Sequence, residues 1–153
     1  MEDCAMQARV NWVEDVLFVA ESGSGHAVVL DGAPEGGGRN LGMRPMELVA
    51  LGVAGCSSYD VVSILRKARQ KISHCEARVS AGRAGAIPAV FESIHLHFRL
   101  AGENLNEAQV ARAIELSAEK YCSASIMLKR AGVKITHDYE IVNGAPADAT
   151  SDR

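Results

Sequence analysis

Pro45-Met46-Glu47-Leu48-Val49-Ala50-Leu51-Gly52-Val53-Ala54-Gly55-Cys56-Ser57-Ser58-Tyr59-Asp60-Val61-Val62-Ser63-Ile64-Leu65-Arg66-Lys67-Ala68-Arg69-Gln70-Lys71 sets the fold. Pro45 suits the first position of a helix, where its missing N–H would have no intrahelical partner. Glu47 in the first turn complements the helix dipole, and the basic run from Arg66 to Lys71 does so at the far end. Between Met46 and Leu65 apolar or small residues recur almost all the way round. Such a helix is expected to be buried on every face. About 24 helical residues span about 36 Å, long for a small domain. A second copy of the chain is expected to supply part of the cover, which makes a homodimer.

Before this helix, residues 6–12 alternate, with Met6, Ala8, Val10 and Trp12 on one side, as in a strand. Val16–Ala20 and His26–Leu30 flank the turn signal Ser22-Gly23-Ser24-Gly25 and read as a hairpin. Asp31–Gly42, with Pro34 and three consecutive glycines, reads as a flexible loop. Gly52 and Gly55 each weaken a helix by about 1 kcal/mol relative to Ala, so something is expected to pack closely against them.

After the helix, residues 74–83 read as a strand. Ile94, Leu96, Phe98 and Leu100 then line one face of the clearest strand in the chain, opposite His95, His97 and Arg99. Asn106 is placed to cap a helix, with Gln109 as its reciprocal partner. The helical pattern either continues through Cys122 to Arg130 or breaks near Tyr121, and Gly132 supplies a stop. Val133–Val142 alternates again, and residues 143–153 read as a polar, disordered tail. The order is βββ-α-ββ-αα-β, an α+β fold of paired antiparallel strands, with one domain over residues 1–142.

The 153 residues carry 48% hydrophobic side chains and a net charge of −3, which suit a packed globular domain and argue against a nucleic-acid partner. No apolar stretch approaching membrane length and no leader are expected, so the chain reads as cytoplasmic, without a membrane partner and with reduced thiols. Metal ligands are not expected: there is no paired CxxC and no HExxH, and His95-x-His97 and His74-Cys75 read as strand positions or a pocket wall. No cofactor motif is present. The glycine loop with Arg39 lacks the P-loop ending, and no GxSxG elbow occurs.

Two cysteines carry the chemical interest. Cys56 follows two glycines in the long helix, and Cys122 lies at a helix end or break that would expose its sulfur and lower its pKa. Read locally, either is equally a packed core thiol. Asp60, four residues after Cys56, shares its helix face and would raise the thiol pKa unless it has a partner or points away. Cys4 and Cys75 read as ordinary.

At Arg44–Cys56, Asp60–Lys67, Pro88–Ile94 and Glu119–Ser123 the sequence resembles the OsmC/Ohr family of thiol peroxidases, over roughly residues 5–142. Cys56–Val62 and Lys120–Ser123 resemble its YhfA-type branch most. The resemblance implies an intertwined homodimer with two sites at the subunit interface. It places Cys56 at the peroxide-reacting cysteine and Cys122 at the resolving one. Organic hydroperoxides are the implied substrates, and a dithiol such as a lipoylated protein the implied reductant. The family activates its thiolate with an Arg held by a Glu directly after the proline. Here Met46 stands at that Glu position, Glu47 is one residue on, and Arg39, then Arg44, match the Arg best. A ligand-binding dimer without catalysis and a redox sensor are the alternative readings.

Overall fold

The computed structural model describes residues 5–143; Cys4 and the predicted tail beyond residue 143 lie outside the described residues. The chain forms two compact units, one up to Val49 and one from Ala50. In the first, β1 (Ala8–Glu14), β2 (Leu17–Ser22) and β3 (Ala27–Leu30) make an antiparallel sheet in that order. The predicted hairpin is present. The apolar side of β1 stays open: Trp12 is 66% exposed.

The glycine loop is not a loose segment. The buried Asp31 carboxylate accepts the backbone N–H groups of Gly32, Arg39 and Leu41. The Leu41 N–H holds this carboxyl below its ordinary range, burial opposes, and the other two N–H groups add to the lowering. Gly38 lies so close to Gly32 that a Cβ there would overlap its backbone. Backbone donors gathered on one carboxylate thus give the loop its shape.

α1 (Pro45–Lys67) begins at Pro45 as the sequence indicates, and Glu47 Oε2 accepts the Arg44 N–H at 2.9 Å, half of a capping box. Its most apolar 18-residue window has a mean hydropathy of 1.7, so by length and composition α1 is long and apolar enough to cross a membrane. This corrects the expectation that no stretch approaches that length; small residues such as Gly and Ser let an apolar window run on without bulky side chains. Nor is α1 buried all round. Val53, Ser57, Val61 and Leu65 form a buried stripe at helical spacing, while Leu51, Gly52, Gly55 and Tyr59 are exposed. A Cβ at Gly52 or Gly55 would meet no atom within 4 Å. Among the described residues, nothing therefore makes the close packing expected at these glycines.

In the second unit, β4 (Lys71–Arg83) pairs antiparallel with β5 (Phe91–Glu103). Ile94, Leu96, Phe98 and Leu100 are all buried, as their alternation indicates. α2 (Glu107–Leu116) is capped by Asn106, which accepts the Gln109 N–H at 3.1 Å. The reciprocal bond goes elsewhere, because the Asn106 N–H donates to Gln70 Oε1 at 2.8 Å. The helical run breaks through a π-helical turn, Ser117–Tyr121, before α3 (Ser123–Arg130). β6 (Lys134–Ile141) then joins β5 in parallel, not antiparallel as expected, because the α2–α3 crossover returns the chain in the same direction. The element order is nonetheless the βββ-α-ββ-αα-β read from the sequence.

Candidate active site

The π turn shapes the site. The Cys122 N–H bonds to the Ser117 carbonyl at 2.8 Å, a longer reach than an α-helix allows, and the chain then turns extended at Cys122. Cys122 becomes the N-cap of α3, a position usually held by Ser, Thr, Asp or Asn. Its sulfur takes the role of the capping oxygen and accepts the Ser125 N–H at 3.4 Å. The Ser57 hydroxyl, reaching from the buried stripe of α1, donates to the same sulfur at 3.3 Å.

Cys56 sits one residue before Ser57 and is partly exposed, whereas Cys122 is fully buried. Both are free thiols. Cys56 Sγ, Cys122 Sγ and an Asp60 carboxylate oxygen all lie within 4.8 Å of one another. Asp60 has a partner, the Ser117 hydroxyl, which donates to its Oδ2 at 3.3 Å, but this does not turn the carboxylate away from the sulfurs.

The two thiols are shifted in opposite directions. Burial pushes Cys56 up; the Ala124 N–H pulls the other way, and the neighbouring Cys122 and Asp60 add to the rise. Burial also pushes Cys122 up, but the Ser125 and Ser57 hydroxyls, the Ser125 N–H and Cys56 outweigh it, and the net direction is down. A closely spaced pair loses its protons as a pair. The geometry puts the first negative charge on Cys122, the sulfur at a helix N-terminus with hydroxyl and N–H donors aimed at it.

The other predicted site residues have partners of their own in the first unit. The Arg39 guanidinium ion-pairs with Glu14. Glu47 accepts the Arg44 N–H, and the Arg44 guanidinium donates to Asn40 Oδ1 at 2.5 Å. Cys75 is half-buried; burial pushes its thiol up and Ser58 pulls it down. His95 and His97 stand on the outer face of β5, where Asp138 of β6 meets both rings, at 3.1 and 2.7 Å.

Sequence reasoning missed Ser57, Ser117 and Ser125. Ser125, three residues after Cys122, has cap spacing and was legible if a cysteine is allowed as the cap. Nothing local marks Ser117, because its contacts with Ser57 and Asp60 cross between elements.

Residues 36–138 match the family described as OsmC-like protein. The chain is 49% identical over 140 residues to protein YhfA of Escherichia coli K12, covering 90% of this chain and 98% of that protein. Among solved structures, an OsmC-like protein from Mycoplasma pneumoniae superposes with a TM-score of 0.77 at 18% identity, covering 93% of this chain and 99% of that one. The organic hydroperoxide resistance protein OsmC of Legionella pneumophila gives 0.67 at 17%, covering 88% and 96%. Over most of its length, in sequence and in element order, this chain belongs to the OsmC-like protein family.

Proposed function

We propose that the protein is a two-cysteine peroxidase that reduces organic hydroperoxides. One observation carries this reading: two free cysteines from separate helices bring their sulfurs within 4.8 Å, with Cys122 hydrogen-bonded as a thiolate would be. Membership of the family and the likeness to an organic hydroperoxide resistance protein support it.

The first proton lost from the pair leaves the charge on Cys122 and the thiol on Cys56. A proton shift from Cys56 to Cys122 moves the charge to the more exposed sulfur. Cys56 then attacks the peroxide: an S–O bond forms, the O–O bond breaks, and the alkoxide takes a proton and leaves as the alcohol. This gives a sulfenic acid on Cys56. Cys122, having given its proton to the leaving alkoxide, attacks the Cys56 sulfur as the thiolate; the S–S bond forms, the S–O bond breaks, and the hydroxide leaves as water with a proton from solvent. An external dithiol, such as a lipoylated protein, returns two electrons and two protons by thiol–disulfide exchange. Cys122 thus serves first as the store of negative charge and then as the resolving nucleophile.

The working form in this reading is a cytoplasmic homodimer without a membrane or nucleic-acid partner. The open apolar side of β1 and the exposed Leu51, Gly52, Gly55 and Tyr59 of α1 support a second copy as their cover. Arg39 and Glu47 are retained as candidate activating groups.

Steady-state consumption of cumene hydroperoxide with dihydrolipoamide as reductant tests the proposal. Rapid turnover that disappears in Cys56→Ser is expected. A disulfide that forms without turnover identifies a sensor, and unreactive thiols identify a binding protein; either result contradicts the enzyme reading.

A further inference from the structure

The carboxylate between the two thiols is hard to explain by peroxide chemistry alone. A negative group beside Cys56 opposes the thiolate that the attack requires. Two thiolates and Asp60 would also gather three negative charges within 4.8 Å. Among the described residues of the second unit no cation ion-pairs with Asp60, whose donor is the uncharged Ser117 hydroxyl. The cluster has what a divalent ion needs.

We propose that the reduced protein binds one Zn²⁺ through Cys56 Sγ, Cys122 Sγ and a carboxylate oxygen of Asp60. The donor set fits: thiolate sulfur and carboxylate oxygen are both zinc ligands, and three protein ligands leave one tetrahedral position open to water. The spacing fits as well. Zinc–sulfur bonds of about 2.3 Å and zinc–oxygen bonds of about 2.1 Å put tetrahedral ligand atoms roughly 3.6–3.8 Å apart, so the side chains need close by no more than about 1 Å. Cys56 and Asp60 stand at i and i+4 on one helix face, the spacing by which helices supply paired metal ligands. Orienting bonds are also present. Ser57 Oγ and the Ser125 N–H hold the Cys122 sulfur, and Ser117 Oγ holds Asp60. Such bonds to ligand atoms are a regular part of metal sites.

Binding displaces the protons the two sulfurs still hold and leaves both on the metal as thiolates. Zinc therefore occupies the sulfurs a peroxide would oxidise. Where the peroxidase reading also holds, one hydroperoxide and two protons convert the zinc-bound thiolates to the disulfide, an alcohol and water, and free Zn²⁺ is released. The binding itself does not depend on that reading.

The test is a titration of reduced, oxygen-free protein with Zn²⁺ against a chromophoric zinc chelator, with no peroxide present. Cd²⁺ is used in parallel to read sulfur-to-metal charge transfer. One tightly held equivalent per chain is expected. It should be lost in Cys56→Ser and Cys122→Ser, and Asp60→Asn should weaken it by more than the roughly 10–100-fold cost of losing an outer-shell partner. Circular dichroism checks each variant, and Cys56→Ser carries the test if Asp60→Asn does not fold. No binding overturns the inference. So does binding that survives Cys56→Ser but falls with His95→Ala, because that moves the ion to the outer face of β5. Zinc binding without hydroperoxide turnover would keep this inference and remove the enzyme reading; turnover without zinc binding would do the reverse.

Discussion

Cys56 and Cys122 are the same residue, with sulfurs less than 5 Å apart, yet their surroundings pull them in opposite directions. Cys56 lies inside a continuous helix with Asp60 one turn on; burial raises its thiol, and the single N–H of Ala124, from the first turn of α3, opposes without reversing the rise. Cys122 lies where a helix starts, so a free N–H and two serines reach its sulfur. Burial raises both thiols, and what separates them is the set of donors at the start of α3, which together outweigh burial at Cys122 and do not at Cys56. The more buried sulfur is the one favoured to carry charge. The more exposed one is favoured to stay protonated, which suits a division of labour between charge storage and contact with substrate.

The comparison breaks most severely if either sulfur is removed. Cys122→Ser should leave a sulfenic acid on Cys56 after a single reaction, with recycling reduced by at least ~10⁴-fold, the scale on which loss of a covalent group acts; a dimedone adduct on Cys56 reads the trapped state. Ser57→Ala comes next. It removes a hydroxyl donor from Cys122, and a hydrogen bond to a charge is worth about 1.5–3 kcal/mol. The Cys122 thiolate fraction at neutral pH should fall by about 10–100-fold, read by ultraviolet thiolate absorbance in a Cys56→Ser background. Asp60→Asn should work on the other sulfur, raising the Cys56 thiolate fraction several-fold in a Cys122→Ser background.

The smallest effect belongs to a contrasting cluster on the exposed face of the sheet. Asp138, with Glu140 adding, raises the His97 pKa above its ordinary 6.5, against partial burial. Stability from the charged imidazole is therefore fully present below about pH 6.5 and lost as the pH rises through the raised value. Asp138→Asn should return the His97 titration toward 6.5 by NMR, with little change in stability, because both groups are solvated.

Much of the frame could be read from residues alone. The start of α1 at Pro45, the buried row Ile94, Leu96, Phe98 and Leu100, and the Asn106 cap follow from local pattern. The parallel pairing of β6 was not legible, because alternation marks a strand without giving its direction. The α1 surface is legible only in part: composition shows how apolar a helix is, but not which face meets the rest of its own chain. For the break at Cys122 the sequence pattern permits two alternatives. A π turn depends on one longer hydrogen-bond reach, from Cys122 to Ser117, and leaves no periodic signal. The meeting of Asp60 with Ser117, and of Ser57 with Cys122, belongs to tertiary packing. Cysteines 56 and 122 stood out by context, yet nothing in their spacing brings them together.

The most direct test of the two-sulfur account is peptide mapping after reduced protein meets one equivalent of cumene hydroperoxide. The account predicts a Cys56–Cys122 disulfide, one alcohol released per bond formed, and Cys75 left as a free thiol. A product in which Cys122 remains free while Cys56 is oxidised to the sulfinic acid, or in which Cys75 takes either partner's place, would contradict it.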